Sequence, residues 1–354
     1  MKKILITGGA GFVGSNLAIL LKQEFSDIVV IAVDNLKRRG SELNLKRLNY
    51  HGVTFIHGDI RNKEDLESIN SFDILIDCSA EPSVTAGYGK SPEYLLNTNL
   101  IGTINCLEVV RKCNAAFLFL STSRVYPIKS LNSLKLNETE TRFVLNKDQT
   151  LQGVSNEGIS ESFPLDEPRS LYGTSKLASE MLIQEYSDMY GIKSVINRCG
   201  VLTGPWQMGK IDQGVVVLWI ARHIFGGKLN YIGFGGKGLQ VRDILHINDL
   251  YELVKIQLKN VQEWDANIYN VGGGNELSIS LKELTELCES ITGNKITVSK
   301  SKSIRHADIP YFVTNYEKVS RETNWKPNLS IEKIMQDIVD WVNSNYNELR
   351  YILN

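Results

Sequence analysis

Gly8-Gly9-Ala10-Gly11-Phe12-Val13-Gly14 follows directly on the apolar run Ile4-Leu5-Ile6, and this stretch decides the fold. Apolar residues then recur at helical spacing (Val13, Leu17, Leu20, Leu21), so the segment reads as a buried strand, a glycine turn and a helix. That is the opening of a nucleotide-binding βαβ unit. One glycine turns the chain sharply, one lets the backbone approach a pyrophosphate, and one lets the helix pack on the strand. The helix N-terminus then offers its N–H groups to the phosphates. Glycine is common in loops, so the motif gains weight from its context. About twenty residues on, Asp34 closes the apolar run Ile28–Val33, as the dinucleotide fingerprint requires.

Asp34 also selects the dinucleotide. A carboxylate there accepts hydrogen bonds from the adenosine ribose hydroxyls and repels a 2′-phosphate, which favours NAD over NADP. The basic run Lys37-Arg38-Arg39 could receive such a phosphate; it reads instead as solvated or as facing phosphates of the substrate.

Around this unit, the alternation of short apolar strands with helical patterns predicts a doubly wound α/β fold with a right-handed parallel sheet. Strands are expected at Val53–His57, ending in Gly58-Asp59-Ile60, and at Phe72–Ser79, followed by the turn Ala80-Glu81-Pro82-Ser83. Asp59 stands where a carboxylate could accept the adenine amino group. A helix over Asn99–Lys112 leads to strand Ala115–Leu120 and the polar cluster Ser121-Thr122-Ser123. Strand carboxyl ends line the ligand crevice of such sheets, so Thr122 belongs beside the cofactor; a helix-capping Ser/Thr run is the plainer alternative.

Residues 127–169 form a long polar excursion with no clear period, which reads as a lid. Helix Leu171–Tyr190 and strand Lys193–Arg198 resume the fold. From about Gly200 short strands and helices mix, with helices expected at Gly214–Phe225, Asn248–Lys259, Ser280–Thr292 and Ile331–Asn345 and strands near Leu229–Ile232 and Leu239–His246. The expected organisation is a dinucleotide domain over 1–199, carrying the lid 127–169, and a smaller mixed α/β substrate lobe over 200–354, with some strands and helices interleaved between the two.

With 354 residues and 42% hydrophobic content the chain can bury a large core. A net charge of -1 makes no electrostatic case for nucleic acid or an anionic membrane. No stretch nears the ~20 apolar residues of a membrane span, and the first residues enter a strand at once, which points to the cytoplasm. The 5 cysteines form no CxxC pair and the 5 histidines no metal-ligand spacing, so no metal is expected.

Tyr172 and Lys176 lie four residues apart on the expected helix, hence on one face. A phenol of reference pKa ~10 is a poor base at neutral pH. A neighbouring ammonium and a positive nicotinamide ring both favour the phenolate. Lysine can also hold the nicotinamide ribose, and Thr122 can hydrogen-bond the substrate oxygen. The pattern is weak alone, and with 14 tyrosines a second copy exists at Tyr251–Lys255. Its setting is an ordinary amphipathic helix, whereas Tyr172 follows a strand-end Ser/Thr cluster.

Gly8–Gly14, Asp34-Asn35-Leu36, Gly58-Asp59-Ile60, Thr122 with Val125-Tyr126, Tyr172-Gly173-Thr174-Ser175-Lys176 and Arg242-Asp243 together resemble the extended short-chain dehydrogenase/reductase superfamily, over essentially the whole chain. Within it the chain looks most like nucleotide-sugar epimerases, and among these the epimerases acting at carbon 2 of CDP-linked deoxyhexoses. The narrower likeness rests on Asp34–Leu36 with Arg39-Gly40 and Asn44-Leu45, on Asn137–Arg142, on Asp212-Gln213-Gly214 and on Gln240–Asp243. The resemblance implies a Rossmann-type sheet binding NAD through Gly8, Gly11, Phe12, Val13, Gly14, Asp34, Asn35, Asp59, Ile60, Ser79, Ala80, Asn99, Tyr172 and Lys176. It implies catalysis by Thr122, Tyr172 and Lys176, and substrate contacts from Glu81, Ser83, Thr122, Gln213, Arg242 and Arg305. The arginines suit a diphosphate, although a surface salt bridge is the plainer reading of each. The partner is a nucleotide sugar, CDP-linked by preference, and the assembly a homodimer or homotetramer.

Pro127, where relatives usually carry glycine, and Ser79-Ala80-Glu81, in place of a small-residue turn, depart from the pattern. After Thr122 stand Ser123-Arg124, where dehydrating relatives carry Asp-Glu and decarboxylases a glutamate, so elimination is disfavoured. Inversion of carbon 4 of a UDP-hexose is the second reading. A non-catalytic NAD-sensing module is the third, disfavoured because such modules typically lose the tyrosine or lysine.

Overall fold

A computed structural model describes residues 2–69, 71–210, 213–303 and 305–353. Two compact units emerge. The first comprises Met1–Val125, Leu171–Arg198 and Tyr251–Tyr269; the second, Tyr126–Ser170, Cys199–Leu250 and Asn270–Asn354.

The first unit is built on a sheet of seven strands: β1 (Lys3–Thr7), β2 (Val29–Asp34), β3 (Thr54–His57), β4 (Ile74–Asp77), β5 (Ala116–Thr122), β6 (Ser194–Cys199) and β7 (Asn267–Val271). Their order is β7-β6-β5-β4-β1-β2-β3. β1 pairs in parallel with both β2 and β4, β2 with β3, and β4 with β5. This is the doubly wound order, with its reversal between β1 and β4. Continuous apolar runs such as Ile4-Leu5-Ile6 and Phe117–Leu120 form strands because helices cover both faces of the sheet. Leu5, Val33, Leu75, Phe117, Phe119, Leu107, Val110, Ile183 and Ile196 make up the core.

The expected strands are present with ends displaced by a residue or two, so that Asp34 is the last residue of β2 and Thr122 the last of β5. Helix Leu171–Tyr190 matches its sequence pattern end to end. The helix expected from Asn99 is preceded by a π turn over Asn97–Ile101 and runs regularly over Gly102–Cys113. Such turns concentrate at functional sites.

In the second unit, strand Val241–His246 pairs in parallel with Val201–Thr203 and Tyr311–Phe312 and antiparallel with Ser278–Ser280. That strand starts two residues later than its pattern suggested. Segment 127–169, read as an aperiodic excursion, contains helix Ile128–Asn132 and two small strand pairs, Leu136–Glu138 with Phe143–Leu145 and Val154–Ser155 with Gly158–Ile159. Distant contacts order it. The Arg142 guanidinium grips the Glu283 carboxylate (2.7 and 2.5 Å) and the Ser278 hydroxyl (3.0 Å), while Ile159 N–H donates to Val313 O (2.8 Å). Among the described residues no helix is long and apolar enough to cross a membrane.

Candidate active site

The glycine turn follows the carboxyl end of β1. Gly8 adopts φ +63°, and a Cβ there would lie 2.7 Å from Cys78 O; a Cβ at Gly14 would lie 2.3 Å from Gly8 O. Only glycine fits either position. Helix Phe12–Glu24 begins at Gly11 with no side chain capping it. Its first N–H groups, those of Phe12, Val13 and Gly14, therefore point out of the helix end as a receptor for anionic oxygens. Asn44 Nδ2 donates to Ala10 O (2.9 Å), and Arg47 bridges Asn44 and Asn16, so a neighbouring helix shapes the loop from outside.

Asp34 accepts from Ala10 N (3.1 Å) and Leu36 N (2.8 Å). Burial pushes its carboxyl above the ordinary aspartate range, partly offset by those backbone donors. Asn35 Nδ2 donates to Asp59 Oδ2 (2.9 Å), and Arg61 forks onto the same carboxylate (2.6–3.1 Å). Desolvation alone would raise Asp59, but Arg61 and Asn35 hold it down at about 2. The carboxylate expected to meet an adenine amino group is thus already engaged on both oxygens. Ile60, beside it, is buried.

After β4 the chain turns through Ser79, Ala80 and Glu81. Asn99 in the π turn fastens this turn: its Oδ1 accepts from Glu81 N (2.7 Å), and its Nδ2 donates to Glu81 O (3.1 Å) and Ser175 Oγ (3.3 Å). Ser83 follows, its N–H on Glu81 Oε1 and its hydroxyl against Thr85. Asn99 therefore ties the turn to the helix of Tyr172.

Thr122 closes β5, its Oγ1 accepting from Arg124 N (3.2 Å). Tyr172 and Lys176 lie in the first turns of their helix, 8% and 2% exposed, and Lys176 Nζ stands 3.7 Å from the centre of the Phe119 ring. One turn further, Glu180 lies on the same helical face, wholly buried. Its carboxylate takes a bidentate grip from Arg198 of β6 (2.7–3.1 Å) and a hydrogen bond from the Ser121 hydroxyl. Glu180 escaped the sequence reading, although its i+4 step from Lys176 was the available signal.

The second copy of the spacing is differently placed. Tyr251 Oη donates to Glu24 Oε2 (2.7 Å), and burial together with that carboxylate pushes the phenol up. Lys255 pairs with Glu24 and Glu252.

In the second unit, Arg242 donates to the carbonyls of Val241 and Ile309 (both 2.7 Å) and lies 3.5 Å from Asp308 Oδ1. Asp308 N in turn closes a bend on Arg305 O (3.2 Å), so the two arginines flank one turn. Gln213 exchanges backbone hydrogen bonds with Lys210 (2.7 and 3.1 Å); Asp212, read with it, lies outside the described residues. Asp243 accepts from Gly273 N and Gly274 N and fixes that loop, and Tyr126 is a buried ring stacked on Phe312. Those two residues of the resemblance are framework.

A sequence model of the NAD dependent epimerase/dehydratase family matches residues 4–272. The chain belongs to that family. Among curated relatives, it is 34% identical over 350 residues to CDP-paratose 2-epimerase of Salmonella typhi, covering 97% of this chain and 99% of the relative. The dTDP-glucose 4,6-dehydratase of Bacillus anthracis, solved with NAD, superposes with TM-score 0.78 at 27% identity over 100% of both chains. UDP-glucose 4-epimerase of Thermotoga maritima, solved with UDP-glucose, gives TM-score 0.78 at 25% identity, over 97% of this chain and 99% of that one. The fold is the family's Rossmann-like sheet, and the protein is an NAD-dependent enzyme of the nucleotide-sugar epimerase/dehydratase group. The residues present fit the cofactor: an uncapped helix end behind a glycine cradle that a Cβ would fill, and Asp34 at the edge of β2.

Proposed function

We propose that the protein inverts carbon 2 of a CDP-linked deoxyhexose, converting CDP-paratose to CDP-tyvelose through a transient 2-keto sugar. The observation that carries this reading is the 34% identity to a CDP-paratose 2-epimerase along nearly the full length of both chains. Ser123-Arg124 after Thr122 supports it, because no second carboxylate stands there to eliminate water.

When bound, NAD supplies a site that accepts a hydride from the carbinol carbon and later returns it. Tyr172 takes the hydroxyl proton as the carbinol is oxidised and gives one back on reduction. Lys176, buried on Phe119, holds positive charge beside that phenol and favours its ionised form. Thr122 holds the substrate oxygen, and the Ser79–Glu81 turn, fastened by Asn99, supports the reacting end of the cofactor. Glu81 and Ser83 line the sugar, and Gln213, Arg242 and Arg305 hold the nucleotide and its diphosphate. Between the two hydride transfers the keto sugar presents its opposite face.

The test is a substrate panel followed by proton NMR. CDP-paratose should equilibrate with CDP-tyvelose with no net consumption of NAD. Inversion of carbon 4 of a UDP-hexose with CDP sugars untouched would overturn the regiochemistry, and steady consumption of added NAD would make the enzyme a dehydrogenase.

A further inference from the structure

From the last residues of β1 and β4 to the middle of β5 the strand register sets three side chains in a row. Thr7 pairs with Asp77, and Asp77 with Phe119. Residues in register on neighbouring strands share a face of the sheet. The first contact is direct: Thr7 Oγ1 donates to Asp77 Oδ1 (2.7 Å), which also accepts from Ser79 N (2.9 Å). Asp77 is wholly buried, and its other oxygen, Oδ2, has no hydrogen-bond partner. A buried carboxylate with an unmatched oxygen is costly unless a cation compensates it. The Lys176 ammonium stands on the ring of Phe119, the neighbour of Asp77 across the sheet. Cys106, buried on the helix Gly102–Cys113, feels both charges: burial and then Asp77 push its thiol up, while Lys176 pulls it down. Glu180, on the same helix, is matched by Arg198 and does not supply this charge.

We propose that Asp77 is the buried counter-charge of the Lys176 ammonium, and that the pair sets how strongly the site prefers oxidised to reduced nicotinamide. The inference rests on the reading of Lys176 as a residue of the NAD site. The oxidised ring is cationic and the reduced ring neutral, so Asp77 favours the oxidised form and Lys176 the reduced one. Asp77 is a positioning residue in this account; its charge acts on the cofactor through the site.

The experiment needs no sugar. Holoenzyme and variants are dialysed to equilibrium against equal NAD and NADH and then denatured, and the released nucleotides are quantified. Asp77→Asn should raise the bound NADH:NAD ratio by roughly tenfold, with an unchanged circular dichroism spectrum. Lys176→Met should move the ratio the other way. An unchanged ratio in folded Asp77→Asn, with Lys176→Met shifted, overturns the inference alone. A Lys176→Met variant with unaltered ratio and unaltered NAD retention overturns the reading of Lys176 beneath it. Should the asparagine variant not fold, Asp77→Ser, which can still accept from Thr7 and Ser79, carries the same prediction.

Discussion

Tyr172–Lys176 and Tyr251–Lys255 share a spacing and a helical setting, and their immediate partners differ. The first lysine is buried against the Phe119 ring, and its tyrosine is buried on a helix that Asn99 ties to the turn after β4. The second tyrosine gives its proton to a hydrogen bond with Glu24, and the second lysine stands between two carboxylates. A negative neighbour keeps a phenol protonated, whereas a positive one favours its ionisation. Spacing puts two side chains on one face; the charges around that face decide whether they do chemistry.

The largest expected effect breaks the first copy. Tyr172→Phe should lower turnover by about 10²–10⁴-fold while NAD is retained, since only the proton acceptor is lost. Tyr251→Phe should leave steady-state turnover nearly unchanged. Equal losses in the two variants would erase the distinction.

Next in size is Lys176→Met. Loss of a charge-assisted hydrogen bond should weaken NAD retention by roughly 10–100-fold, measured by the nucleotide left after gel filtration. A Lys255→Met variant that lost NAD equally would reverse the assignment.

A smaller effect sharpens the second copy through pH. Burial, with Glu24 next, raises the Tyr251 phenol in the folded state. The unfolded chain therefore ionises first on the alkaline side. The stabilisation is complete below the unfolded value of about 10 and is lost as pH rises above it. The melting temperature should fall above that pH, and Tyr251→Phe should flatten the fall. Smallest of all is the Lys255–Glu24 pair. It lies at the surface, so Lys255→Met should change stability by less than about 1 kcal/mol in denaturant titrations.

Much of the first unit was legible in the chain because its signals are local. The glycine turn, Asp34 at a strand end, Thr122 at another and the full span of helix Leu171–Tyr190 each sit within one window of sequence. What escaped depends on distant partners. Arg142 meets Glu283 141 residues away, and the strands it helps order are three residues long, too short to show a period. Glu180 meets Ser121 across 59 residues, and Asp77 meets Thr7 across 70. Asp59 is a different case: its partner Arg61 is two residues away, but an aspartate near an arginine is too common a pattern to announce a closed fork.

In the proposed mechanism inversion proceeds by removal and return of the same hydride, with Tyr172 moving only the hydroxyl proton. The most direct measurement is turnover of CDP-paratose in heavy water, with product examined by proton NMR and mass spectrometry. The product should be CDP-tyvelose with no solvent deuterium at the inverted carbon. Deuterium at carbon 2 would contradict that mechanism, since the carbon-bound hydrogen would then have left as a proton.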